Sequence, residues 1–523
     1  MDAAALSVEA REWILDRLLK QAGLPPPYPP GANKLVVTRL TDDSRQVVPG
    51  SCFTAVRGGR YDGHDFIETA VQAGATSIVT ESGAGKVKVP PGIIEVRVSD
   101  SRSALARLAA AYYRLRRESA EGGPGTLRLV GVTGTNGKST TCELLQSILS
   151  AARQRAALLG TIRNDLLRST VTATMTTPAP LDLCRYLAEA AEAGAGWAVM
   201  EVSSHALDQR RCDGLDFTAA VFTNLSGDHL DYHRDARRYL AAKKRLFDLL
   251  EPEATAVVNA DDPCSEALLQ DCRGRIVRYG LSDGGRTDLT ARIEAMDSSG
   301  SRYTILGLAG EIPIRSPLIG RHNLMNALAA AATASALGGL GPDEQAVRTG
   351  IEAVSSVRGR LERVDVPDGR FAVFVDYAHT DDALRNVLAA LRPLTRQRLI
   401  CVFGCGGDRD RSKRPRMAAA VAAAADLAVV TSDNPRTEDP HRIIAEILPG
   451  FPPNGSCRVE VEPDRRSAIE SAVQQARPED TVLIAGKGHE DYQIIGHMRR
   501  HFDDVETARA CLESRFGRDR VVP

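Results

Sequence analysis

A short apolar run leads into a glycine-rich loop and then into helix-forming residues in the stretch Leu127-Arg128-Leu129-Val130-Gly131-Val132-Thr133-Gly134-Thr135-Asn136-Gly137-Lys138-Ser139-Thr140. This order predicts a β-strand, a tight loop and the first turn of an α-helix. The backbone N–H groups of such a loop can point at a phosphate chain, and the N-terminus of the following helix favours the same anion. We therefore expect a nucleotide-binding α/β domain around this stretch.

The residue types in the loop suit a triphosphate. Lys138 supplies a cation for the β- and γ-phosphate oxygens, and Ser139 supplies a hydroxyl for Mg²⁺. The spacing departs from the generic phosphate loop, because Val132 stands where a glycine is usual and Gly131 lies one residue too early. The alternative is a glycine-rich turn that binds nothing, but a Gly-Lys-Ser-Thr run between a strand and a helix argues against it. We expect ATP contacts from Gly134, Thr135, Asn136, Gly137, Lys138, Ser139 and Thr140.

The composition of the 523 residues is typical of a soluble globular protein, with 43% hydrophobic residues, 25% charged residues and a net charge of −1. This balance gives no electrostatic case for binding nucleic acid or an anionic membrane. No apolar run reaches the roughly 18 residues that cross a bilayer, and the N-terminus lacks the pattern of a signal peptide. The ten cysteines have no metal-site spacing, which indicates reduced thiols and a cytoplasmic location.

The chain is too long for one hydrophobic core and predicts three domains. A Gly/Pro-rich joint lies at residues 121–125, and a less distinct one lies near residues 355–359. We expect domains over residues 1–123, 124–355 and 356–523. Between and after the joints, apolar runs alternate with helical patterns, which favours α/β domains with parallel sheets. The predicted strands include residues 127–132, 198–202, 219–223, 371–376, 399–403, 427–431 and 481–485.

Polar groups come at or directly after the ends of two predicted central strands. Glu201 lies at the end of one run, and Asp228 and His229 follow the next. Ligands of open α/β sheets bind at the carboxyl ends of the strands, and a phosphate-loop enzyme needs an acid near Mg²⁺. Taken singly, each group has a structural explanation as good as the functional one: the acids can be solvated, and His229 can be a hydrogen-bonded loop residue. Together with the phosphate loop they indicate a metal–nucleotide site.

Three motifs together resemble those of the Mur ligases of peptidoglycan synthesis: residues 133–140, Glu-Val-Ser-Ser-His at 201–205 and Asn-Leu-Ser-Gly-Asp-His-Leu-Asp-Tyr-His at 224–233. The similarity extends over nearly the whole chain, and the phosphate loop of that family shares the unusual spacing. The resemblance implies an α/β protein of three domains: an N-terminal UDP-binding domain, a central P-loop ATPase-like domain with a parallel sheet, and a C-terminal Rossmann-like domain. It also implies Mg²⁺ ligands among Glu201, His229 and Ser139 or Thr140.

The same family carries a carbamoylated lysine in a Tyr-x-x-Ala-Lys segment, which corresponds here to Tyr239-Leu240-Ala241-Ala242-Lys243. Capture of CO₂ turns the cation into an anion that can help to orient a metal near the γ-phosphate. Composition cannot choose between Lys243 and Lys244, and without the resemblance this run would be a solvated helix face. The spacing of the family selects Lys243 as N6-carboxylysine and as a metal ligand. The implied catalytic residues are Lys138, Glu201, His229 and Lys243.

The resemblance also implies contacts to the other parts of ATP. Asn259 and Asn323 correspond to residues on the adenine side, whereas Arg360 and Asp376 correspond to residues that the C-terminal domain brings to the phosphates and the ribose. An arginine delivered in this way can stabilise phosphoryl-transfer charge. Structural alternatives are helix capping by Asn323 and an interface ion pair for Arg360. The sequence departs from the family at Asp381, where proline is usual.

Two further groups of residues correspond to those that hold the UDP-muramoyl dipeptide in the family. Ser44, in Thr41-Asp42-Asp43-Ser44-Arg45, lies at a position that contacts UDP. In the central domain, Arg211 is a suitable partner for the D-glutamyl carboxylates. The other implied dipeptide contacts are Thr176, Thr177, Ser203 and Gln209.

The run Asp433-Asn434-Pro435-Arg436 is predicted to select the amino acid that is added. Meso-diaminopimelate differs from lysine by one carboxylate, which a guanidinium binds through two hydrogen bonds. We therefore expect Arg436 to bind this far carboxylate, and Asp433 or Asn434 to bind the far amino group. The alternative is a simple turn with favourable Asn-Pro chemistry. Family contacts to the same substrate correspond to Arg409, Gly486 and Glu490.

The resemblance, taken with these features, implies a monomeric ATP- and Mg²⁺-dependent ligase that joins meso-diaminopimelate to a UDP-muramoyl dipeptide through an acyl phosphate. A lysine-adding ligase would retain everything except the run at 433–436. A folate polyglutamylating ligase would share the phosphate loop and the carbamate but would lack a UDP-binding domain. A nucleotide-dependent binding protein without catalysis is a third alternative, and the intact Lys138, Glu201, His229 and Lys243 argue against it.

Overall fold

The computed structural model describes residues 12–59, 61–83, 89–115, 127–282, 287–307, 310–337 and 343–517 of the chain. Within these residues, three sheets of four or more strands follow one another along the sequence. This arrangement confirms the predicted α/β class. The predicted joint at residues 121–125 lies outside the described residues. The boundary proposed at 355/356 falls between a helix that ends at Ala353 and a strand that begins at Glu362.

The N-terminal region contains a small parallel sheet. Its elements are β1 (Trp13–Ile14), α1 (Leu15–Gln21), β2 (Val36–Val37), β3 (Arg39–Thr41), β4 (Ser51–Thr54), α2 (Ile67–Gln72), β5 (Ala75–Glu81), β6 (Ile94–Val98) and α3 (Ser101–Tyr112). Strands β3 to β6 pair in parallel in chain order, whereas β1 and β2 form a separate antiparallel ribbon. Asp100 begins α3 by accepting a hydrogen bond from the Ser103 N–H. Leu108 of α3 belongs to the same apolar cluster as Leu187, so α3 joins this region to the next core.

The central region forms a sheet of eleven strands in the order β10-β9-β8-β11-β7-β12-β13-β14-β15-β16-β17. Neighbouring strands from β8 to β15 in this order pair in parallel, and antiparallel pairs with β9, β10, β16 and β17 extend both edges. Its elements are β7 (Arg128–Thr133), α4 (Lys138–Ala151), β8 (Ala156–Leu159), β9 (Arg163–Asp165), β10 (Thr170–Thr172), α5 (Pro180–Glu192), β11 (Trp197–Glu201), α6 (Ser204–Asp208), β12 (Phe217–Phe222), α7 (Leu230–His233), α8 (Ala236–Asp248), β13 (Thr255–Asn259), α9 (Ser265–Leu269), β14 (Arg275–Tyr279), β15 (Leu289–Asp297), β16 (Gly300–Gly307), β17 (Gly310–Ser316), α10 (Arg321–Ala336) and α11 (Glu344–Ala353).

Strand β7, which precedes the phosphate loop, lies between β11 and β12. Helices cover both faces of this part of the sheet, which explains why its strands are continuous apolar runs rather than alternating ones. In the register of the sheet, Glu201 pairs with Val132 and Phe222 pairs with Thr133. The carboxyl ends of all three strands therefore meet at one edge, where the phosphate loop begins.

The C-terminal region forms a six-stranded sheet in the order β18-β19-β23-β20-β21-β22, parallel except for β18. The predicted strands of this region are all present, and the strand predicted at residues 481–485 has both ends as predicted. The elements are β18 (Glu362–Val364), β19 (Ala372–Asp376), α12 (Asp381–Leu391), β20 (Leu399–Cys405), α13 (Lys413–Ala422), β21 (Leu427–Ser432), α14 (Pro440–Ile447), β22 (Arg458–Val461), α15 (Arg465–Gln475), β23 (Thr481–Ala485), β24 (Tyr492–Ile495), β25 (Met498–His501) and α16 (Asp504–Phe516).

Strands β24 and β25 form an antiparallel hairpin outside the main C-terminal sheet. Short 3₁₀ turns cover Ser44–Gln46, Gly63–Phe66, Pro367–Gly369, Arg392–Leu394 and Leu448–Gly450. The ten cysteines are unpaired thiols. None of the helices in the described ranges is both long enough and apolar enough to cross a bilayer.

Candidate active site

The loop between β7 and α4 depends on two glycines. Gly134 has a φ of 150° and Gly137 a φ of 86°, both in the region that residues with a Cβ rarely adopt. A Cβ at Gly134 would lie 1.8 Å from Thr223 Oγ1, and a Cβ at Gly137 would lie 2.2 Å from Asn326 Oδ1. Conformation and space therefore both require glycine, and the loop wraps tightly at the edge of the sheet.

Hydrogen bonds with the loop that follows β12 fix the position of the phosphate loop. The Asn136 N–H donates to Asn224 Oδ1 (3.0 Å), and Thr223 Oγ1 donates to the Asn136 carbonyl (2.6 Å). Thr135 Oγ1 lies 3.1 Å from the Tyr239 hydroxyl. Lys138 Nζ donates to the carbonyls of Gly134 and Thr135 at 3.0 and 2.9 Å, and burial lowers the pKa of its ammonium. The loop thus holds a cation at its centre, where a triphosphate requires one.

Ser139 and Glu201 lie in direct contact. Ser139 Oγ donates to Glu201 Oε1 at 2.8 Å. Thr161 also binds this carboxylate, through its N–H to Oε1 (2.8 Å) and its hydroxyl to Oε2 (3.1 Å). The sequence patterns did not single out Thr161. The available signal was its place just after the apolar run of β8, at the same edge of the sheet as the phosphate loop.

Lys243 is buried in α8 behind the phosphate loop, with 1% of its surface exposed. Its Nζ donates to the Gly134 carbonyl at 2.8 Å and lies 4.4 Å from the centroid of the Tyr239 ring. Burial, together with the nearby Lys138 charge, lowers the pKa of this amine well below its ordinary value. The adjacent Lys244 instead forms an ion pair with Asp248. The two lysines, which composition cannot distinguish, therefore have different environments.

His229 lies at the start of α7 with a φ of 54°, and its Nε2 is 3.4 Å from Asp228 Oδ2. Burial lowers the pKa of its imidazole to about 4, although the Asp228 charge opposes this shift. The His205 ring packs edge-on against it, with 4.7 Å between the ring centroids. This direction of shift favours the neutral imidazole, which is the form that can bind a metal. Within the described residues, no cluster of three or more His, Cys, Asp or Glu side chains has the arrangement of a metal site.

A cavity of about 430 Å³ extends from the phosphate loop toward the adenine side predicted from the sequence. Asn259 and Asn323 both line it. Asn259 Nδ2 donates to the Thr223 carbonyl (2.8 Å), and Asn323 Nδ2 donates to the Ile319 carbonyl (2.9 Å). The N-cap of α10 is Gly320 rather than Asn323. This observation does not support the helix-capping alternative for Asn323.

The C-terminal region completes this cavity with Arg360 and Asp376. Arg360 Nη2 donates to Ser139 Oγ at 3.2 Å, and its guanidinium lies 4.7 Å from the Tyr377 ring centroid. Asp376 accepts hydrogen bonds from the N–H groups of Leu361 (2.7 Å) and Ala378 (2.8 Å). Burial raises the pKa of Asp376 against the opposing effect of Arg360. Asn136 Nδ2 makes a second contact between the two regions, donating to Asp382 Oδ2 (3.2 Å).

A second cavity, of about 690 Å³, adjoins the first. Its wall contains most of the residues predicted to bind the amino acid, and it shares five residues with the first cavity. The predicted residues are Arg409, Asp433, Asn434, Arg436, Gly486 and Glu490, and the shared residues are Asp228, His229, Tyr377, His379 and Thr380.

Residues 433–436, here called the selector loop, follow β21. Both ends of the Asn434 side-chain amide are hydrogen-bonded: its Nδ2 donates to Glu490 Oε2 (2.8 Å), and its Oδ1 accepts from Lys487 Nζ (3.2 Å). Burial would raise the pKa of Asp433, but the charges of Lys487 and Arg465 outweigh it and lower this pKa. Both residues were considered for the far amino group: the lowered pKa favours the charged form of Asp433, whereas the side chain of Asn434 is hydrogen-bonded to Glu490.

The other predicted amino acid contacts lie within the selector loop or next to it. Arg436 has a φ of 52°, and its Nη1 donates to the Gly407 carbonyl (2.8 Å). Arg409 Nη1 donates to the Asp408 carbonyl (3.3 Å). A Cβ at Gly486 would lie 2.6 Å from Asp433 Oδ2, so this glycine leaves space for the carboxylate. The Pro435 carbonyl accepts from the Glu438 N–H, which gives Pro435 a place in the loop backbone.

Four of the residues predicted to hold the dipeptide form one hydrogen-bonded group. Arg211 Nη1 donates to the Thr177 carbonyl (2.7 Å), and its Nη2 donates to Gln209 Oε1 (2.7 Å). The Ser203 N–H donates to Thr177 Oγ1 at 3.0 Å. Thr176 connects this group to the phosphate loop side, because its hydroxyl accepts from Thr161 Oγ1 (3.1 Å) and it lines the first cavity. Ser44 lies apart from this group, in a 3₁₀ turn of the N-terminal region.

Three family models match most of the chain. The Mur ligase family catalytic domain matches residues 36–113, the Mur ligase middle domain matches residues 132–334, and the Mur ligase glutamate ligase domain matches residues 359–488. A protein of Geobacter metallireducens named UDP-N-acetylmuramoyl-L-alanyl-D-glutamate--2,6-diaminopimelate ligase is 45% identical, over 92% of this chain and 95% of its own. The chain belongs to the Mur ligase family.

Solved structures agree with this assignment to the Mur ligase family. The structure of a UDP-N-acetylmuramoyl-L-alanyl-D-glutamate--2,6-diaminopimelate ligase is 34% identical to this Mur ligase, with a TM-score of 0.64, and the match covers 92% of this chain and 95% of that chain. Folylpolyglutamate synthase of Mycobacterium tuberculosis, complexed with ADP, is 22% identical with a TM-score of 0.58, over 76% of this chain and 92% of that chain. At that identity the second match shows a shared fold alone. The family predicted from the three motifs is confirmed.

Proposed function

We propose that this Mur ligase joins meso-2,6-diaminopimelate to the γ-carboxylate of D-Glu in UDP-MurNAc-L-Ala-D-Glu and cleaves ATP to ADP and phosphate. The observation that carries the proposal is the shared wall of the two cavities, one at the phosphate loop and one at the selector loop. Because the two cavities adjoin at these shared residues, an acyl phosphate formed in the first cavity would lie next to a diamino acid bound in the second. Relatives that carry the name of this activity support the proposal.

The reaction would have two steps. In the first, a γ-carboxylate oxygen of D-Glu attacks the γ-phosphorus of ATP, the bond to ADP breaks and an acyl phosphate forms. In the second, a diaminopimelate amine attacks the acyl carbon, the C–O bond to phosphate breaks and the amine loses a proton as the amide forms. Lys138 and Arg360 lie where they can neutralise the anions that meet in the first step.

Mg²⁺ is the metal that this reaction implies, and the residues at the phosphate loop fit it. Ser139 Oγ and Glu201 Oε1 are oxygen atoms that can bind a metal ion, and they lie 2.8 Å apart. Mg²⁺ prefers a few protein oxygens together with phosphate oxygens and water. Ser139, Glu201 and His229 would hold the ion, with Lys243 contributing if it is modified. When bound, the ion would supply charge neutralisation at the phosphate oxygens.

Lys243 is proposed to be N6-carboxylysine. Its nitrogen is buried beside the Gly134 carbonyl at 2.8 Å, in a place where a bare ammonium would repel a metal ion. Addition of its neutral amine to CO₂ forms an N–C bond and releases one proton, and the product is a carbamate anion. Lys244 does not offer this chemistry, because it forms an ion pair with Asp248 at the surface of α8.

Selection of diaminopimelate over lysine is assigned to Arg436. Its guanidinium would bind the far carboxylate, and lysine would leave those N–H donors without a partner. Asp433 and Glu490 lie beside it in the same cavity and would bind the far ammonium group. Arg409 would bind a second carboxylate of the same substrate. Pro435 and Gly486 would shape this pocket through their backbone.

The UDP-muramoyl dipeptide is proposed to extend from the N-terminal region to the shared wall. Ser44 would contact the UDP end. The group of Thr177, Ser203, Gln209 and Arg211 would hold the dipeptide, and Thr176 would lie closest to the γ-phosphate. Asn259 and Asn323 would contact the adenine side of ATP and Asp376 its ribose.

We further propose that the enzyme is a cytoplasmic monomer of peptidoglycan precursor synthesis, and so acts in cell wall growth and division. Domain limits at 123/124 and 355/356 belong to the same proposal.

A phosphate-release assay tests the proposed function. Purified protein is given ATP, Mg²⁺ and UDP-MurNAc-L-Ala-D-Glu, with meso-diaminopimelate, lysine or glutamate as acceptor. We expect phosphate release with diaminopimelate and little with the other two. Preference for lysine would identify a lysine-adding ligase, and release that requires a folate and glutamate would identify a folate ligase. No release with any combination would indicate a binding protein without catalysis.

A further inference from the structure

The hairpin of β24 and β25 is hydrogen-bonded to the selector loop. Gln493 Nε2 donates to the Asp433 carbonyl (2.8 Å), and the Ile494 N–H donates to Asn434 Oδ1 (3.0 Å). The Arg436 N–H donates to the Ile494 carbonyl (3.0 Å), and the Arg436 carbonyl accepts from the Gly496 N–H (2.7 Å). Strand β24 therefore pairs with β25 on one side and with the selector loop on the other.

These bonds hold an unusual backbone conformation. Arg436 has a φ of 52°, in the left-handed region that residues other than glycine adopt rarely unless their surroundings impose it. Both the N–H and the carbonyl of Arg436 are bonded to the hairpin. The hairpin thus fixes the backbone from which the guanidinium projects toward the amino acid cavity.

Gln493 is the one side chain of β24 that binds the selector loop backbone at its start. Its bond to the Asp433 carbonyl fixes the peptide between Asp433 and Asn434. Tyr492, the preceding residue, lines the cavity, and Arg499 packs over its ring at 3.8 Å. Successive side chains of a strand point to opposite faces. On β24, Tyr492 therefore lines the cavity from one face, and Gln493 on the other face binds the backbone of the selector loop.

We propose that Gln493 is a positioning residue that sets the affinity for the diamino acid by fixing the backbone of Asp433 and Asn434. The inference rests on the proposed function, because it assumes that the selector loop binds the acceptor amino acid. Gln493 acts through the selector loop and takes no part in phosphoryl transfer. Its loss is therefore expected to affect the diamino acid and to leave the nucleotide substrates unaffected.

Two variants test the proposal. Gln493→Met keeps the side-chain volume and removes the N–H donor, whereas Gln493→Glu keeps the shape and places a carboxylate against the Asp433 carbonyl. In steady-state phosphate release, we expect the KM for diaminopimelate to rise about tenfold, as for loss of one hydrogen bond in a closed site. The KM for ATP, the KM for UDP-MurNAc-L-Ala-D-Glu and kcat at saturation should stay within about twofold of the wild type.

Arg500→Met is the matched control, because Arg500 pairs with Gln493 across the hairpin and is exposed. An unchanged KM for diaminopimelate in both Gln493 variants would overturn the proposal, and so would an equal rise in the Arg500 variant. Loss of folding in both Gln493 variants, seen in thermal unfolding, would make Gln493 a residue of general stability and would also overturn it. If the wild type releases no phosphate with diaminopimelate, the proposed function itself fails, which the wild-type assay shows separately.

Discussion

Arg360 Nη2 donates a 3.2 Å hydrogen bond to Ser139 Oγ, and this bond connects the C-terminal region to the first turn of the helix that follows the phosphate loop. Ser139 in turn donates to Glu201. The arginine predicted from the sequence to act on the phosphates is thus in contact with the hydroxyl predicted to bind Mg²⁺. Arg360 also lies against the Tyr377 ring, and its role at the nucleotide stays a prediction.

Replacement of Arg360 should mainly lower the rate of phosphoryl transfer. Arg360→Met removes the charge but keeps an extended side chain, and we expect kcat to fall at least roughly a hundredfold, as for other arginines that neutralise phosphoryl-transfer charge. The KM for diaminopimelate should change little. Arg363→Met is a suitable control, since Arg363 lies nearby in β18 and donates to the Ser298 carbonyl at the surface. A kcat within about twofold of the wild type for Arg360→Met would remove Arg360 from the catalytic set.

Lys243→Ala should abolish turnover, and added bicarbonate should not restore it, because alanine offers no nitrogen to carbamoylate. Lys244→Ala is the matched control, and we expect it to retain activity because Lys244 pairs with the surface acids Asp248 and Asp271. Steady-state phosphate release measures both. Near-normal activity of Lys243→Ala would exclude an essential carbamate. Carbon-13 NMR with labelled bicarbonate provides an independent test, with a carbamate signal expected in the wild type and in Lys244→Ala but absent from Lys243→Ala.

Much of the nucleotide site could be predicted because its signals are local. The phosphate loop and His229 come after apolar runs and Glu201 ends one, and the carboxyl ends of parallel strands meet at one edge. The strands themselves were predictable for the same reason, since buried parallel strands are continuous apolar runs. The choice between Lys243 and Lys244 was different. It depends on which side of α8 faces the phosphate loop, and only the packed structure shows that one nitrogen is buried and the other paired with Asp248.

The support of the selector loop could not be predicted from local sequence. Gln493 lies 60 residues beyond Asp433, and nothing in a short hairpin sequence identifies the backbone carbonyl that its glutamine will bind. Thr161 is a similar case, because its contact with Glu201 spans 40 residues. Hydrogen bonds between distant loops follow from the order of strands in the sheet, and that order is a property of the whole chain.

The ion pair of Arg414 with Glu438, which follows the selector loop closely in sequence, should make the free energy of unfolding depend on pH. Hydrogen bonds from the Arg414 guanidinium hold the pKa of Glu438 at about 2, below its ordinary 4.5. Because the folded-state pKa is lowered, the ionised Glu438 stabilises the fold above pH 4.5, and this contribution is lost as the pH falls from 4.5 toward 2. Glu438→Gln should lower the free energy of unfolding at pH 7 by roughly 1–3 kcal/mol.

Urea unfolding at a series of pH values measures this effect. The difference in unfolding free energy between wild type and Glu438→Gln should narrow as the pH falls below 4.5. Glu251→Gln is the control at pH 7, since Glu251 pairs with Arg273 at the exposed surface and its loss should change stability little. A Glu438 difference that stays constant between pH 7 and pH 3 would show that its charge does not stabilise the fold.

Arg436→Ala should weaken binding of diaminopimelate far more than binding of ATP. The guanidinium is the predicted partner of the far carboxylate, and its loss would remove the paired N–H donors that this carboxylate is expected to bind. We expect the KM for diaminopimelate to rise by the equivalent of roughly 2–4 kcal/mol, with the KM for ATP nearly unchanged. Arg442→Ala provides the control, because Arg442 lies on the exposed side of the neighbouring helix α14 and pairs with Glu446. An unchanged KM for diaminopimelate would assign selection of the far carboxylate to another cation of the cavity, of which Arg409 is the first to test.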